Sequence, residues 1–253
     1  MSKHDARKPQ NHTRVHPAPP ISFGLSLSKP RHRMWLFDLD DTLHNASGAS
    51  MAELRQAMGD YITRELGISS AESNELRRRY WLRYGATLLG LVRHHNVKSA
   101  HFLHHTHLLP GLEDRVCGHA HDLAALARLP GRKFILTNAP AAYARRVLKV
   151  LGISGWFDGL MSIEDMHMFG DLRPKPDARM LKRVAARLRV HPSRCVLVED
   201  SAVNLKGARR AGMQTVWLRR WLPAGASRLG ARRCPAYVDR RVATLREMER
   251  RGR

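Results

Sequence analysis

The chain has 253 residues, with 44 lysines and arginines against 22 aspartates and glutamates, and its formal net charge is +22. This length suits one α/β domain with an inserted subdomain, or two small domains, and a hydrophobic fraction of 43% excludes wholesale disorder. No run of 18 apolar residues occurs, so no membrane-spanning helix is expected. The cysteines, Cys117, Cys195 and Cys234, form no CxxC pair, which favours the reducing cytoplasm over a disulfide framework or a cysteine-based zinc site.

The positive charge is concentrated at the two ends of the chain. Residues 1–33 carry a net +6 and residues 219–253 carry +8, so 14 of the 22 excess charges lie there. Basic tails bind polyanions through counterion release, but neither aromatic interleaving nor a nucleic-acid-binding motif accompanies these arginines. We therefore expect solvated ends without a nucleic-acid partner. A polyanion-binding protein that uses its fold as a scaffold is the rival class of function.

Residues 1–33 are rich in proline, histidine and basic residues and lack an apolar period, which predicts a disordered basic tail. The stretch ISFGLSLSKPRHR within it resembles translated intergenic DNA, so the natural start is expected at or near Met34. At the other end, residues 222–253 are predicted to be a basic segment able to form a helix. Neither end carries a signal for the oligomeric state.

Between the ends, a helical block precedes a regular alternation of strands and helices. The first strand is MWLF at 34–37, and capping boxes at Ser50 and Ser69 begin two helices of a block at 49–110. The alternation then predicts, in order, helix 116–128, strand 133–138, helix 141–151, strand 159–163, helix 176–189, strand 195–200, helix 202–211 capped by Ser201, and strand 214–218. This order predicts an α/β fold: a doubly wound, mostly parallel sheet from 34–48 and 111–221, with an inserted all-helical block.

Polar residues collect where the predicted strands end, which is where open parallel sheets bind ligands. They are Asp38 and Asp40, Thr137 and Asn138, Lys175 in an RPKP loop, and Glu199 and Asp200. Crowded carboxylates are costly without a cation, and an all-oxygen set with room for water suits Mg²⁺. An aspartate nucleophile, a second carboxylate for proton transfer, and a lysine and a threonine against a phosphate together predict phosphoryl transfer.

Four segments, WLFDLDDTL, LTN, RPKPD and VEDS, resemble in this order the motifs of the haloacid dehalogenase superfamily across residues 34–218. The resemblance implies that Asp38 is the nucleophile, that Asp40 is the general acid and base, and that Lys175 stabilises charge. It also implies that Thr137 and the Asn138 amide bind the phosphate. The expected substrate is a small phosphorylated molecule.

The same resemblance implies a Mg²⁺ ion held by the Asp38 carboxylate, the Asp40 main-chain carbonyl and Asp200, with Glu199 adjacent or bridged by water. Thr42 would support the geometry of the first loop. Because the dehalogenase branch uses no metal and typically lacks the second acid, this set favours a Mg²⁺-dependent phosphatase. The block at 49–110 resembles the helical cap that closes over such sites and selects the substrate.

A narrower resemblance rests on WLFDLDDTLHNAS, RYGATLLGLVRHH, LTNAPAAYARRVLKVLGI and VEDSAVNLKGARRAGMQTVW, which are similar to bacterial members of the pyrimidine 5′-nucleotidase branch. It implies pyrimidine nucleoside 5′-monophosphates as substrates, with Tyr84, Thr87 and Arg93 offering a stacking face, a hydroxyl and a cation. A sugar-phosphate or phosphoglycolate phosphatase and a phosphomutase stay open as alternatives. Six histidines between His94 and His107 favour fortuitous metal binding over a zinc site, since no acidic or cysteine partner lies near them.

Overall fold

A computed structural model describes residues 33–221 and 234–251. Its strands are β1 (Met34–Phe37), β2 (Arg132–Leu136), β3 (Gly159–Met161), β4 (His167–Met168), β5 (Asp171–Leu172), β6 (Cys195–Glu199), β7 (Gln214–Leu218) and β8 (Arg240–Val242). Six of them form one parallel sheet in the order β3-β2-β1-β6-β7-β8, and β4 pairs with β5 in an antiparallel hairpin. The predicted α/β fold with a mostly parallel sheet is confirmed.

Helices connect the parallel strands and fill the interval between β1 and β2. They are α1 (Ala46–Ala49), α2 (Met51–Leu66), α3 (Ser70–Tyr84), α4 (Thr87–His95), α5 (Ser99–Thr106), α6 (Leu112–Arg115), α7 (Ala120–Arg128), α8 (Ala141–Val150), α9 (Ala178–Arg187) and α10 (Ala202–Ala211). The helix predicted over 116–128 is present as α7 but begins at Ala120, because the chain is extended at Val116 between α6 and α7. Within the described residues, no helix combines the length and hydropathy needed to cross a bilayer.

The chain ends are described only in part. The predicted tail over 1–33 lies, apart from Arg33, outside the described residues, as do the stretches 222–233 and 252–253. The described part of the C-terminal segment, predicted to be able to form a helix, contains the strand β8 and a 3-10 helix at Leu245–Arg251. Strand β8 is only three residues long and pairs in parallel with β7, a non-local contact that no local pattern announces.

The sheet is buried on both faces because its strand side chains alternate between two apolar layers. In β1, Trp35 and Phe37 pack in one hydrophobic cluster, while Met34 and Leu36 pack in the other. All four of these residues are buried, as expected for a central parallel strand. Burial on both faces fixes the strand register, and with it the positions of the polar residues that follow each strand.

Helices α2 to α5 have an apolar cluster of their own, built around residues such as Ile62, Leu91 and Phe102, which Ile163 of the α/β core also joins. The predicted capping box of Ser69 and Glu72 begins α3. Two other predicted caps were wrong. Ser201 occupies the N-cap of α10 without a side-chain cap hydrogen bond, and the Ser50 hydroxyl lies 3.0 Å from the Tyr143 hydroxyl instead of capping α2.

Candidate active site

Three neighbouring strands bring the predicted motifs to one edge of the sheet. Strand β1 lies between β2 and β6, with Phe37 opposite Ile135 and Val198. Asp38 directly follows β1, and its amide donates to the Val198 carbonyl at 3.0 Å. Asp38 is therefore the first residue beyond the sheet, at the edge where β2 and β6 also end.

A buried lysine joins two of these strand ends. The Lys175 ammonium donates to Asp38 Oδ1 at 2.6 Å and to Glu199 Oε2 at 2.7 Å. Burial alone would lower the pKa of Lys175, but the charges of Asp38 and Glu199 and their hydrogen bonds raise it overall. Lys175 is thus a permanent ammonium whose relative exposure is only 3%.

The loop that carries Lys175 is fixed from two sides. The Asn138 side chain donates to the Lys175 carbonyl and accepts from the Lys175 amide, both at 3.0 Å. On the other side, a Cβ at Gly207 would lie 2.2 Å from the Pro176 carbonyl oxygen, so only glycine lets α10 approach this closely. Sequence reasoning missed this use of the Asn138 side chain, because the two motifs lie 37 residues apart.

Thr137 and Thr42 stand close to the same acids. Thr137 follows β2, is 1% exposed, and its hydroxyl accepts from the Ala139 amide at 3.0 Å. Its hydroxyl proton is therefore available to a ligand, in keeping with the predicted phosphate contact. The Thr42 hydroxyl lies 3.5 Å from Asp38 Oδ2, which places it against the first loop as expected.

Three carboxylates form a compact group able to hold a cation. Asp38, Glu199 and Asp200 each offer an oxygen, and these oxygens lie within 4.8 Å of one another. The pKa of Asp38 is raised to about 8 by burial and by the charges of Glu199 and Asp40, although the Lys175 charge lowers it in part. The pKa of Asp200 is raised to about 9 by burial and by the charges of Glu199 and Asp38. A crowded, buried set of oxygen donors fits Mg²⁺. The Asp40 carboxylate does not belong to this group. The prediction that Asp40 binds Mg²⁺ therefore concerns its main-chain carbonyl alone.

The Asp40 side chain is instead held by two buried donors. Its Oδ1 lies 2.8 Å from the Tyr143 hydroxyl and 2.9 Å from His44 Nε2. Burial and the Asp40 charge raise the pKa of Tyr143, so its hydroxyl stays a donor. No described residue donates a hydrogen bond to Asp40 Oδ2. One carboxylate oxygen is therefore anchored, and the other is left for a ligand.

These strand ends open into a cavity of about 640 Å³ beneath the helices. The structure brings every predicted site residue together, because all of them line this cavity: Asp38, Asp40, Thr137, Asn138, Lys175, Glu199 and Asp200.

Of the cap residues considered from the sequence, Thr87 lines the cavity. Tyr84 and Arg93 are not among the residues that line the cavity. The Arg93 guanidinium lies 5.9 Å from the centre of the Tyr84 ring. Trp81, which sequence reasoning missed, supplies an indole that is 62% exposed.

Three of the six histidines of the helical block lie within hydrogen-bond distance of a tyrosine hydroxyl. The Tyr61 hydroxyl lies 2.8 Å from His101 Nδ1, and the Tyr80 hydroxyl lies 2.7 Å from His95 Nε2. His101 and His105 face each other edge to face, with ring centroids 4.3 Å apart. These rings contribute to the packing of the helical cluster.

Comparison with known proteins agrees with this fold. A family model for haloacid dehalogenase-like hydrolases matches residues 33–212. The chain belongs to the haloacid dehalogenase-like hydrolase family, and the superfamily resemblance of its motifs is confirmed. The narrower pyrimidine 5′-nucleotidase resemblance stays a prediction.

Individual relatives are more distant. Phosphate metabolism protein 8 of Saccharomyces cerevisiae is 24% identical over 196 residues, covering 73% of this chain and 60% of that protein. The plasmid phosphoglycolate phosphatase of Cupriavidus necator is 34% identical over 119 residues, covering 46% and 48%. The chain thus spans roughly half to three fifths of the length of these two relatives. The HAD phosphatase crystal structure from Thermococcus onnurineus shares the fold, with a TM-score of 0.57 at 24% identity over 86% of this chain and 96% of that one.

Proposed function

We propose that this protein is a Mg²⁺-dependent phosphomonoesterase that acts through an aspartyl-phosphate intermediate on Asp38. The observation that carries the proposal is the convergence of the Lys175 ammonium on Asp38 at 2.6 Å and on Glu199 at 2.7 Å, inside the cavity that Asp40 also lines. A buried carboxylate beside a fixed cation suits attack on a phosphoryl group, whose charge that cation offsets. The relative named phosphoglycolate phosphatase supports the same reaction class.

In the proposed reaction, a carboxylate oxygen of Asp38 attacks phosphorus and the bond from phosphorus to the ester oxygen breaks. Asp40 donates a proton from Oδ2 to that leaving oxygen, so an alcohol departs. Asp40, now ionised, takes a proton from water as the water oxygen attacks the phosphoryl group, which releases phosphate and restores Asp38. Lys175, the Thr137 hydroxyl and the Asn138 amide are proposed to bind the phosphoryl oxygens.

Asp38, Glu199 and Asp200, together with the Asp40 main-chain carbonyl, are the residues proposed to hold Mg²⁺. When bound, the ion would neutralise the charge of the carboxylates and of the phosphoryl group. The carboxylates supply oxygen donors only, the ligand type that Mg²⁺ takes in phosphoryl-transfer sites.

The raised carboxylate pKa values predict that Mg²⁺ stabilises the protein more at high pH. The pKa of Asp38 rises from 3.8 to about 8 and that of Asp200 to about 9. Each group therefore contributes stability that is complete below its unfolded pKa and is lost as pH rises through its folded pKa. In EDTA, Tm should fall between pH 6 and pH 9, and added Mg²⁺ should raise Tm more at pH 9 than at pH 6.

Differential scanning fluorimetry with and without Mg²⁺ measures both effects. In Asp200→Asn the fall in Tm with pH should be smaller, because one of the two titrating carboxylates is gone. A Mg²⁺-induced shift of equal size at both pH values would contradict the assignment of these groups to the metal site.

The contact with Asp40 predicts a selective kinetic defect in Tyr143→Phe. Loss of this donor frees Asp40 Oδ1 and should lower kcat for an alkyl phosphate by about tenfold. The first turnover of an aryl ester such as 4-nitrophenyl phosphate, followed as release of 4-nitrophenolate, should be much less affected, because this leaving group departs without a proton. Tyr61→Phe, which removes a hydroxyl from the helical cluster, is the matched control. Equal losses in the first turnover of both esters would instead indicate a purely structural role for Tyr143.

Helices α2 to α5 are proposed to act as a cap that selects the substrate, since they form the wall of the cavity opposite the acids. Pyrimidine nucleoside 5′-monophosphates are one proposed substrate class, with the exposed Trp81 indole as the flat face for the base. Sugar phosphates and phosphoglycolate-type esters are the other, and the relative named phosphoglycolate phosphatase supports the second of these. The proposed compartment is the cytoplasm, in keeping with the free thiols of Cys117, Cys195 and Cys234.

A panel of these phosphate esters, assayed with Mg²⁺ and with EDTA, tests the proposed function. Phosphate release that requires Mg²⁺ is the expected result. If no ester were hydrolysed, and the chain shifted nucleic acid in a salt-dependent manner instead, the polyanion-binding alternative would replace the enzyme.

A further inference from the structure

The two walls of the active-site cavity differ sharply in charge. The wall formed by the α/β core carries Asp38, Asp40, Asp41, Glu199 and Asp200, with Lys175 among them. On the helical wall, the described lining residues between Met51 and His107 include Arg55, Arg77 and Arg78 and no carboxylate. One end of the cavity is therefore built around a cation and a phosphoryl group, whereas the other end presents guanidinium groups.

Two of these arginines have no acidic partner among the described residues. Arg77 donates from Nη1 to the neutral side chain of Asn74 at 3.0 Å, and its Nε is buried without a partner. Burial and the nearby charge of Arg55 lower the pKa of Arg77. Arg55 forms no hydrogen bond or ion pair with any described residue. Two neighbouring guanidinium groups, one of them half-buried, repel each other unless an anion lies between them.

The third arginine of this wall, Arg78, has a carboxylate partner on its own helix. Arg78 also lines the cavity, and it donates to both carboxylate oxygens of Glu75, at 2.9 and 2.8 Å. Arg77, the preceding residue, lines the cavity without a carboxylate partner among the described residues. Among the arginines of the helical wall, Arg55 and Arg77 therefore have no carboxylate partner in the described part of the chain.

Resting on the proposed function, we propose that Arg55 and Arg77 form a subsite for a second anionic group on the substrate. The preferred substrate is then a small phosphate ester whose leaving group itself carries a carboxylate or a second phosphate. Guanidinium groups bind such oxyanions with paired hydrogen bonds. The apolar side chains of Met51, Leu54 and Met58 line the same wall and would cover the carbon chain between the two anions. A nucleoside monophosphate has no second anion and would be the poorer substrate.

Equilibrium binding of non-hydrolysable phosphonates tests this subsite without relying on turnover. Isothermal titration of the full chain with Mg²⁺ would compare 3-phosphonopropionate with propylphosphonate, and 6-phosphonohexanoate with hexylphosphonate. At one chain length or both, the carboxylated member should bind at least about tenfold more tightly. Ethane-1,2-bisphosphonate, compared with ethylphosphonate, shows whether a phosphate is preferred to a carboxylate as the second anion.

Variants of Arg55 and Arg77 test whether these residues cause the preference for the carboxylated ligand. Arg77→Ala and Arg55→Ala should each reduce the preference for the carboxylated ligand severalfold while leaving the affinity for propylphosphonate unchanged, and Arg77→Lys should retain part of it. Arg83→Ala, which removes an exposed arginine from the same helix outside the cavity lining, should leave the preference intact.

The outcomes separate the subsite from the reaction. No preference for the carboxylated ligand at either chain length and none for the bisphosphonate, or a preference that survives both alanine variants, would overturn the subsite even if the enzyme hydrolyses phosphate esters. A preference that depends on Arg55 and Arg77 in a protein that hydrolyses none of the esters would support the subsite and overturn the proposed reaction.

Discussion

Replacing Asp38 by asparagine is expected to lower kcat by at least about 10⁴-fold on every phosphate ester that the protein hydrolyses. The amide has nearly the shape of the carboxylate but lacks the anionic oxygen that attacks phosphorus. Because Asp38 is buried beside Glu199, loss of its charge should leave the fold intact. Steady-state kinetics with Mg²⁺ and a circular dichroism spectrum of the same preparation measure both effects.

Asp114→Asn is the matched control, because Asp114 is an exposed aspartate outside the lining of the cavity. It should retain the kcat of the unaltered protein. Turnover by Asp38→Asn within tenfold of the unaltered protein would show that another group attacks phosphorus, and the proposed mechanism would fail.

Replacing Lys175 by methionine is expected to reduce both activity and stability. The side chain is buried between Asp38 and Glu199, and without its ammonium two buried carboxylates face each other. Removing one partner of a buried ion pair typically costs about 3–5 kcal/mol in the free energy of unfolding. The loss should be smaller at pH 6 than at pH 9, because the raised pKa of Asp38 lets that group take up a proton.

Urea unfolding at the two pH values measures this loss, and Lys182→Met, at an exposed position of α9, is the matched control. Adding Glu199→Gln to Lys175→Met should recover part of the stability, because it removes one of the two facing charges. If Lys175→Met unfolded at the same urea concentration as the control, the ammonium would not be the counter-ion that holds the two strand ends together.

The positions of the motif residues could be predicted from the sequence because each follows a short apolar strand. Burial on both faces fixes the strand register, so Asp38 and Thr137 reach the same sheet edge whatever the helices do. In the same way, Lys175 could be assigned to a loop beside that edge from its proline-flanked segment. The local pattern alone was sufficient here, since parallel strands end together.

The partners of these residues could not be predicted, because their contacts are non-local. Tyr143 reaches Asp40 from 103 residues away, on a helix whose apolar period shows only that this face is buried. The pairing of strand β8 with β7 likewise depends on a contact between segments that are distant in the sequence. His44 is four residues from Asp40, a spacing that could have suggested the contact.

The helical wall shows a further limit of periodicity. Trp81 and Tyr84 lie three residues apart on α3, and the sequence resemblance pointed to Tyr84 as the aromatic face for a ligand. In the structure Trp81 lines the cavity, and the Tyr84 hydroxyl lies 2.5 Å from His94 Nε2 instead. The orientation of the helices relative to the sheet decides between them, and that orientation depends on packing between distant segments.

The most direct test of the central claim is to isolate the phosphorylated enzyme. A ³²P-labelled ester that the protein hydrolyses would be mixed with it in the presence of Mg²⁺, quenched in acid within milliseconds, and the digested protein analysed by mass spectrometry. The account predicts a transient, alkali-labile phosphoryl group on the peptide that contains Asp38, and none in Asp38→Asn. Rapid hydrolysis with no labelled protein at any time point, or a label on another residue, would contradict it.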